Sequence, residues 1–364
     1  MQHLIQKITC FATIGLMAAC SPSAPESEPA TDASETADTA TVEPGSAGTL
    51  RIYSARHYDS DRFMYEAFEK ASGARVLYRE AGANQLLETM KAEGANSPAD
   101  LIIASDAGAL WRFEDAGLTQ ALPEGAFEEN VPARLIDDKR QWIGLAHRIR
   151  GVAYDPERTS PEQVDEWQDL ADPALEGEIC VRSSTNIYNL SLMGEMIERW
   201  GEDEARTWAE AVVNNMARSP QGGDTDQVEA VAAGLCSVAI TNHYYWVRMA
   251  ESRSNSAREA AQSTVLAFPT FGEDTSPHIN ITGVAIAASS ENTELATQFI
   301  DFLLSADGQG RLVNETKEIP VNSDAERPAG LERLPEFGES DMRLSAFGEN
   351  QATAQRIFDE AGWN

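Results

Sequence analysis

The chain has 364 residues and a formal net charge of −31, with a pI near 4.4. A surface of that sign repels phosphate backbones and anionic headgroups, so nucleic-acid binding and a polybasic hold on membranes are excluded. Hydrophobic residues at 42% and charged residues at 24% fit a soluble globular body, and the length beyond residue 48 suffices for two lobes of ordinary domain size.

Residues 1–19 read as an export signal. Lys7 gives the positive start, Ile8 to Met17 is mostly apolar, and the small pair Ala18-Ala19 precedes Cys20 as at a cleavage site. The apolar run is too short to span a bilayer. A cysteine in that place resembles a bacterial lipobox, with Met17 where Leu is usual, so Cys20 is expected to carry a lipid; simple secretion is the alternative. Residues 20–48 form an acidic tether. From Ser21 to Gly48 there is no Lys, Arg or aromatic residue, and that composition buries too little apolar area to fold. As a disordered coil it reaches roughly 30 Å.

From Thr49 strand and helix alternate. Leu50–Ser54 predicts a strand and 60–71 a helix with Phe63, Met64, Ala67 and Phe68 as its apolar face, closed by Gly73. Strands follow over 74–78 and 100–104, with helices over 85–91 and through Leu110–Phe113. A second unit begins with a strand over 147–154 and a helix after Ser160-Pro161, then a strand over 178–182. Helices over 188–199, 205–216 and 224–233 lead to a buried strand, Cys236–Ile240, and a helix from Trp246 to Glu251. Strand character returns at 265–268 and 283–287, and helices cover 296–304 and 352–361. This alternation specifies an α/β fold with mostly parallel sheets. The economical division is one lobe of 49–150 with 268–320 and another of 151–267 with 321–364, the chain crossing near 148–154 and 264–270. Cys180 and Cys236 lie on separate predicted strands, where a disulfide or two buried thiols both fit.

Three predicted strand ends carry Arg56-His57-Tyr58, Tyr188 and Tyr244-Tyr245, the position where open α/β sheets hold their ligands. If the lobes face one another, one imidazole and four phenols converge. Phenolate is a hard oxygen donor and Fe³⁺ a hard acceptor. A phenol titrating near 10 is neutral in water, but a bound cation displaces its proton. Three phenolates neutralise Fe³⁺, and Arg56 and Arg182, beside the candidate ligands, can offset the surplus of a fourth. Tyr188 also stands at a predicted helix start, where the macrodipole favours an anion. Each residue taken alone reads better as a half-buried aromatic, an exposed loop residue or a surface charge; the joint placement points to a metal. Asp224 and Asp226 read as caps of the following helix, and His243 as solvent-facing.

Five segments, taken together, resemble the ferric-iron-binding proteins of ABC importers, above all the FutA-type branch. They are Tyr53-Ser-Ala-Arg-His-Tyr58, Glu93-Gly-Ala-Asn-Ser-Pro-Ala-Asp100, Arg182-Ser-Ser-Thr-Asn-Ile-Tyr-Asn189, Pro220-Gln-Gly-Gly-Asp-Thr225 and Thr241-Asn-His-Tyr-Tyr245. The resemblance runs from Thr49 to Asn364. It implies a two-lobed periplasmic-binding fold of type II with two hinge crossovers, closing on Fe³⁺ and handing it to a membrane permease. It implies His57, Tyr58, Tyr188, Tyr244 and Tyr245 as ligands and leaves Fe²⁺ open as a second cargo. Where some relatives have a glutamate, this chain has Ala104-Ser105-Asp106, which favours the tyrosine-rich set. The expected protein is a monomer in the periplasm, anchored through Cys20. An enzyme is not expected, because the sequence has no glycine-rich phosphate loop, no nucleophile elbow and no His-x-x-x-His spacing. The alternative is a same-fold binding protein for a small organic solute stacked on the tyrosines.

Overall fold

The first strand buries Leu50 and Ile52 completely, and the helix after it lays Met64, Tyr65 and Phe68 on the same core. That helix is turned from the predicted face: Phe63 is 55% exposed, because the inward stripe runs through Asp61, Met64, Tyr65 and Phe68 at helical spacing. Gly73 ends it as expected, in the left-handed region with φ 72°, its N–H donating to the Glu69 carbonyl.

The structure is a computed structural model that describes residues 47–364 apart from positions 57, 273 and 274. The export signal, nearly all of the tether and His57 therefore lie outside the described residues. In chain order come β1 (Thr49–Ser54), α1 (Asp59–Ser72), β2 (Arg75–Glu80), α2 (Ala83–Glu93), β3 (Leu101–Ala104), α3 (Ala107–Asp115), β4 (Thr119–Gln120) and β5 (Ile143–Tyr154). Next are β6 (Ile179–Cys180), α4 (Ile187–Trp200), α5 (Glu202–Asn215), α6 (Asp224–Ala232), β7 (Val238–Asn242), α7 (His243–Ala250), α8 (Asn255–Gln262) and β8 (Val265–Ala267). The chain closes with β9 (Ile279–Ala287), α9 (Thr293–Leu304), α10 (Ala306–Val313), β10 (Ile319–Pro320), α11 (Ala346–Glu349) and α12 (Gln351–Ala361). The helix expected after Ser160-Pro161 is a single 3₁₀ turn, Pro161–Gln163. Helix α10 escapes periodicity because Gly308 and Gly310 interrupt its pattern; Gly308 is required, since a Cβ there would fall 1.8 Å from the Phe302 carbonyl oxygen.

The sheet order is β2-β1-β3-β9-β5-β7-β6. Parallel pairing holds for β1–β2, β1–β3 and β6–β7, the products of strand-helix-strand connections. The sheet as a whole is mixed. Strands β3–β9, β5–β9 and β5–β7 run antiparallel, because β5 carries the chain outward and β9 brings it back beside it. Strand β5, buried along its whole length, joins two hydrophobic cores. Its Ile143–Ala146 end packs with Ile52, Ile103, Val284 and Phe299, and its Val152 and Tyr154 pack with Trp167, Met193, Val238 and Phe358. Between them Gly151 lies so close to β8 that a Cβ would meet the Ala267 carbonyl oxygen at 2.3 Å.

Cys180 and Cys236 form a disulfide, which settles the alternative the sequence left open. It ties β6 to the entry of β7 across a sequence separation of 56. Closing a loop of that length restricts the unfolded chain, so reduction is expected to cost about 4 kcal/mol of stability. Guanidinium unfolding with and without a thiol reductant checks this; superimposable curves would show the crosslink to be silent.

Candidate metal centre

The stretch 241–246 is bent more sharply than the sequence suggests. Strand β7 runs to Asn242 and α7 begins at His243, so Tyr244 and Tyr245 lie in the first helical turn rather than at a strand end. The two rings sit side by side with centroids 4.5 Å apart. Tyr188 is likewise in the first turn of α4, where the Asn186 side chain accepts its backbone N–H at 3.1 Å. Tyr58 caps α1. Three helix N-termini thus deliver all four phenols, each where the macrodipole favours an anion.

What joins them is Arg148, near the middle of β5, which sequence reasoning missed. Its buried guanidinium donates to the Ser105 carbonyl and to the Tyr244 hydroxyl, and to the Tyr188 hydroxyl at 3.3 Å. It lies 4.5 Å from the Tyr244 ring centre and 4.9 Å from that of Tyr188. Arg248 adds a second bridge, 4.9 Å from the Tyr245 ring, 5.5 Å from Tyr244 and 5.7 Å from Tyr58. The structure thus gathers Tyr58, which follows β1 in the first core, with three phenols from around the second.

Arg56 and Arg182 are beside the phenols but already paired. Arg56 is 5.0 Å from the Tyr58 ring, forks onto Asp61 at 3.0 Å and reaches Glu318 at 3.1 Å. Glu318, fully buried, also lies 2.9 Å from Arg148 Nε. Arg182 is 5.6 Å from the Tyr188 ring and donates to Asp224 at 3.0 Å. Asp224 is therefore no simple cap. It is fully buried and also accepts from Arg150 at 2.9 Å and from the Asn242 N–H at 2.8 Å, whereas Asp226 does cap α6 by accepting the Gly223 N–H at 2.6 Å. Asp106 has its oxygens engaged by Ser191, Asn280 and the Ala109 N–H.

Burial opposes ionisation of every phenol here, but at Tyr188 the Arg148 charge and hydrogen bonds from Tyr244 and Arg148 outweigh it and hold the hydroxyl below its ordinary value. At Tyr58, Tyr244 and Tyr245 burial wins and the hydroxyls are pushed up. One phenol is thus primed to ionise and three keep their protons until a cation displaces them. Among the described residues no group of three or more His, Cys, Asp or Glu side chains could hold a metal, so the phenols are the candidate donors.

His243 is buried, not solvent-facing. Its Nδ1 accepts the Ile149 N–H at 3.0 Å, leaving the proton on Nε2, which faces the Lys317 carbonyl at 3.0 Å. Burial pushes His243 and the neighbouring-strand His147 down to about 4. In the unfolded chain both protonate near 6.5, so the unfolded state gains protons first as pH falls. Their stabilisation is complete above pH 6.5 and is lost toward pH 4, together about 4 kcal/mol by pH 5. Asp106, pushed up to about 6 by burial, acts in the opposite sense by about 1 kcal/mol. Urea unfolding is accordingly expected to show about 2–3 kcal/mol less stability at pH 5 than at pH 7; a flat profile would contradict neutral, buried histidines.

Residues 96–337 match the bacterial extracellular solute-binding protein family. The chain is 36% identical over 320 residues to iron uptake protein A1 of Synechocystis, covering 88% of this chain and 89% of that one. In structure it is similar to the Trichodesmium FutA (IdiA) protein solved in complex with iron and citrate, at 34% identity and a TM-score of 0.83 over 87% of this chain and 100% of that one. The ferric binding protein from Campylobacter jejuni is comparable, with 34% identity, a TM-score of 0.81 and coverage of 86% and 100%. These neighbours are two-lobed periplasmic-binding proteins of type II, and the α/β architecture built on β5 and β9 is theirs. The chain belongs to the bacterial extracellular solute-binding proteins, and within them to the FutA-type ferric-iron group.

Proposed function

We propose that this protein is the extracytoplasmic Fe³⁺-binding component of an ABC importer, gripping the ion with His57 and the phenolates of Tyr58, Tyr188, Tyr244 and Tyr245. The observation that carries the reading is the gathering of four phenols around Arg148 and Arg248, with Tyr188 already held below its ordinary value. The printed roles of the relatives in iron uptake and ferric-iron binding support it. In the form described, Arg148 supplies the positive charge the hydroxyls face. When Fe³⁺ enters, the phenol protons leave to solvent and Arg148 yields the oxygens, keeping Glu318 and the Ser105 carbonyl as partners.

The lobes built on the two cores turn about β5, which joins those cores, and β9 beside it. The protein works as a monomer in the periplasm, held by a lipid on Cys20, and delivers iron to an inner-membrane permease. Fe²⁺ is a weaker second cargo, because it neutralises fewer phenolates. A stacked organic solute is disfavoured by an observation: guanidiniums already cover ring faces, Arg148 at Tyr188 and Tyr244 and Arg248 at Tyr245.

Ferric phenolates absorb visible light, so purified protein is expected to turn orange to red with ferric citrate and to retain iron through desalting. A colourless, iron-free product would falsify the assignment.

A further inference from the structure

Beneath the phenols of the second core lies a carboxylate that the ligand set leaves unused. Asp224 has no exposed surface, and it receives Arg150 at 2.9 Å, Arg182 at 3.0 Å and the Asn242 backbone N–H at 2.8 Å. Each of these donors leads to a phenol. Arg150 and Arg182 lie 5.9 and 5.6 Å from the Tyr188 ring centre, and Arg150 also donates at 2.6 Å to Asn189, the residue after Tyr188. Arg150 further donates at 3.1 Å to Asn242 Oδ1, which turns that amide so that its Nδ2 donates to the Tyr244 hydroxyl at 3.1 Å.

We propose that Asp224 is a positioning residue for iron binding, which acts through Arg150, Arg182 and Asn242 to place the Tyr188 and Tyr244 oxygens and supplies a fixed negative charge that favours Fe³⁺ over Fe²⁺. The inference rests on the iron reading above. Its charge logic is simple. Besides Arg148, two arginines stand against Tyr188, and Asp224 is the acid those two share. Reducing Fe³⁺ adds one electron to the site, and a buried carboxylate nearby opposes that addition more strongly than water-screened charges can. Removing the carboxylate therefore shifts the preference toward Fe²⁺, and removing Arg182 shifts it toward Fe³⁺.

The test uses the full chain loaded from ferric nitrilotriacetate, titrated with dithionite while the visible band is followed, with thermal unfolding run in parallel. Asp224→Asn is expected to move the ferric preference at least about tenfold toward Fe²⁺ and to displace the band maximum. Asp224→Glu, which keeps the charge, should retain the ferric preference while weakening affinity. Arg182→Gln should move the preference in the opposite direction, which general loosening of the fold cannot produce. Unchanged band and preference in Asp224→Asn, or shifts of the same sign in Asp224→Asn and Arg182→Gln, would overturn the proposal. If Asp224→Asn does not fold, an Arg182→Gln preference equal to wild type overturns it alone. A wild-type protein that takes up no iron would overturn the iron reading itself and this inference with it; coloured wild type with unaltered variants would overturn only the latter.

Discussion

Tyr188→Phe is expected to weaken Fe³⁺ binding by more than about a hundredfold and to remove most of the visible band while leaving the fold intact. Loss of a partner outside the ligand shell typically costs 10–100-fold in metal affinity, so losing an anionic ligand should exceed that range. Among the four phenols Tyr188 is the one held below its ordinary value, by Arg148 against the pull of burial. It is therefore the first to present an anion to an incoming cation. The fold should survive, because Leu190, Leu192 and Met193 anchor α4 in the second core and Arg148 keeps Tyr244 and Glu318. Tyr154→Phe, which alters a phenol at the far end of β5, should bind normally. Competition against citrate measures both affinities. Tyr58, Tyr244 and Tyr245 hold their protons at neutral pH, so wild-type affinity should also fall as pH drops. A Tyr188→Phe protein with wild-type affinity would remove this residue from the ligand set.

Much of the fold was legible because its signals are local. The apolar runs that became β1, β3 and β9 and the spacing in α4 and α5 needed no long-range information. The phenols were legible too, since each follows a strand or opens a helix. What could not be read was partnership across sequence distance. Glu318 meets Arg56 across 262 residues, and Arg148 meets Tyr244 across 96. A trace existed: Arg148 and Arg150 are two same-face charges inside a strand that is mostly apolar, and soluble proteins bury such charges only with partners. The mixed sheet was missed for a related reason. Hydrophobic alternation reports that a strand is buried, not the direction in which its neighbour runs. Phe63 points to a further gap, because a helix that could present either of two faces is decided by what packs against it.

Glu318→Gln should be the most damaging single change outside the phenols. The carboxylate is wholly buried between Arg56, at 3.1 Å, and Arg148, at 2.9 Å, and also accepts from Thr282 at 2.7 Å and Thr316 at 3.2 Å. Burial alone would raise its protonation range, but the two guanidiniums hold it below the ordinary glutamate value. An amide of the same shape keeps the packing and removes the charge, leaving Arg148 short of a counter-ion and Arg56 with Asp61 alone. Breaking a buried pair in this way costs about 3–5 kcal/mol, readable as a shift of the urea midpoint. Iron binding supplies a second readout. With Glu318 gone, Arg148 keeps only the Ser105 carbonyl and the hydroxyls of Tyr188 and Tyr244 as partners, so it should contest those oxygens with Fe³⁺. Affinity is then expected to fall even under conditions where the variant is fully folded. Glu318→Gln that loses stability but binds iron like wild type would confine this residue to a structural role; unchanged stability would show that solvent reaches the two arginines.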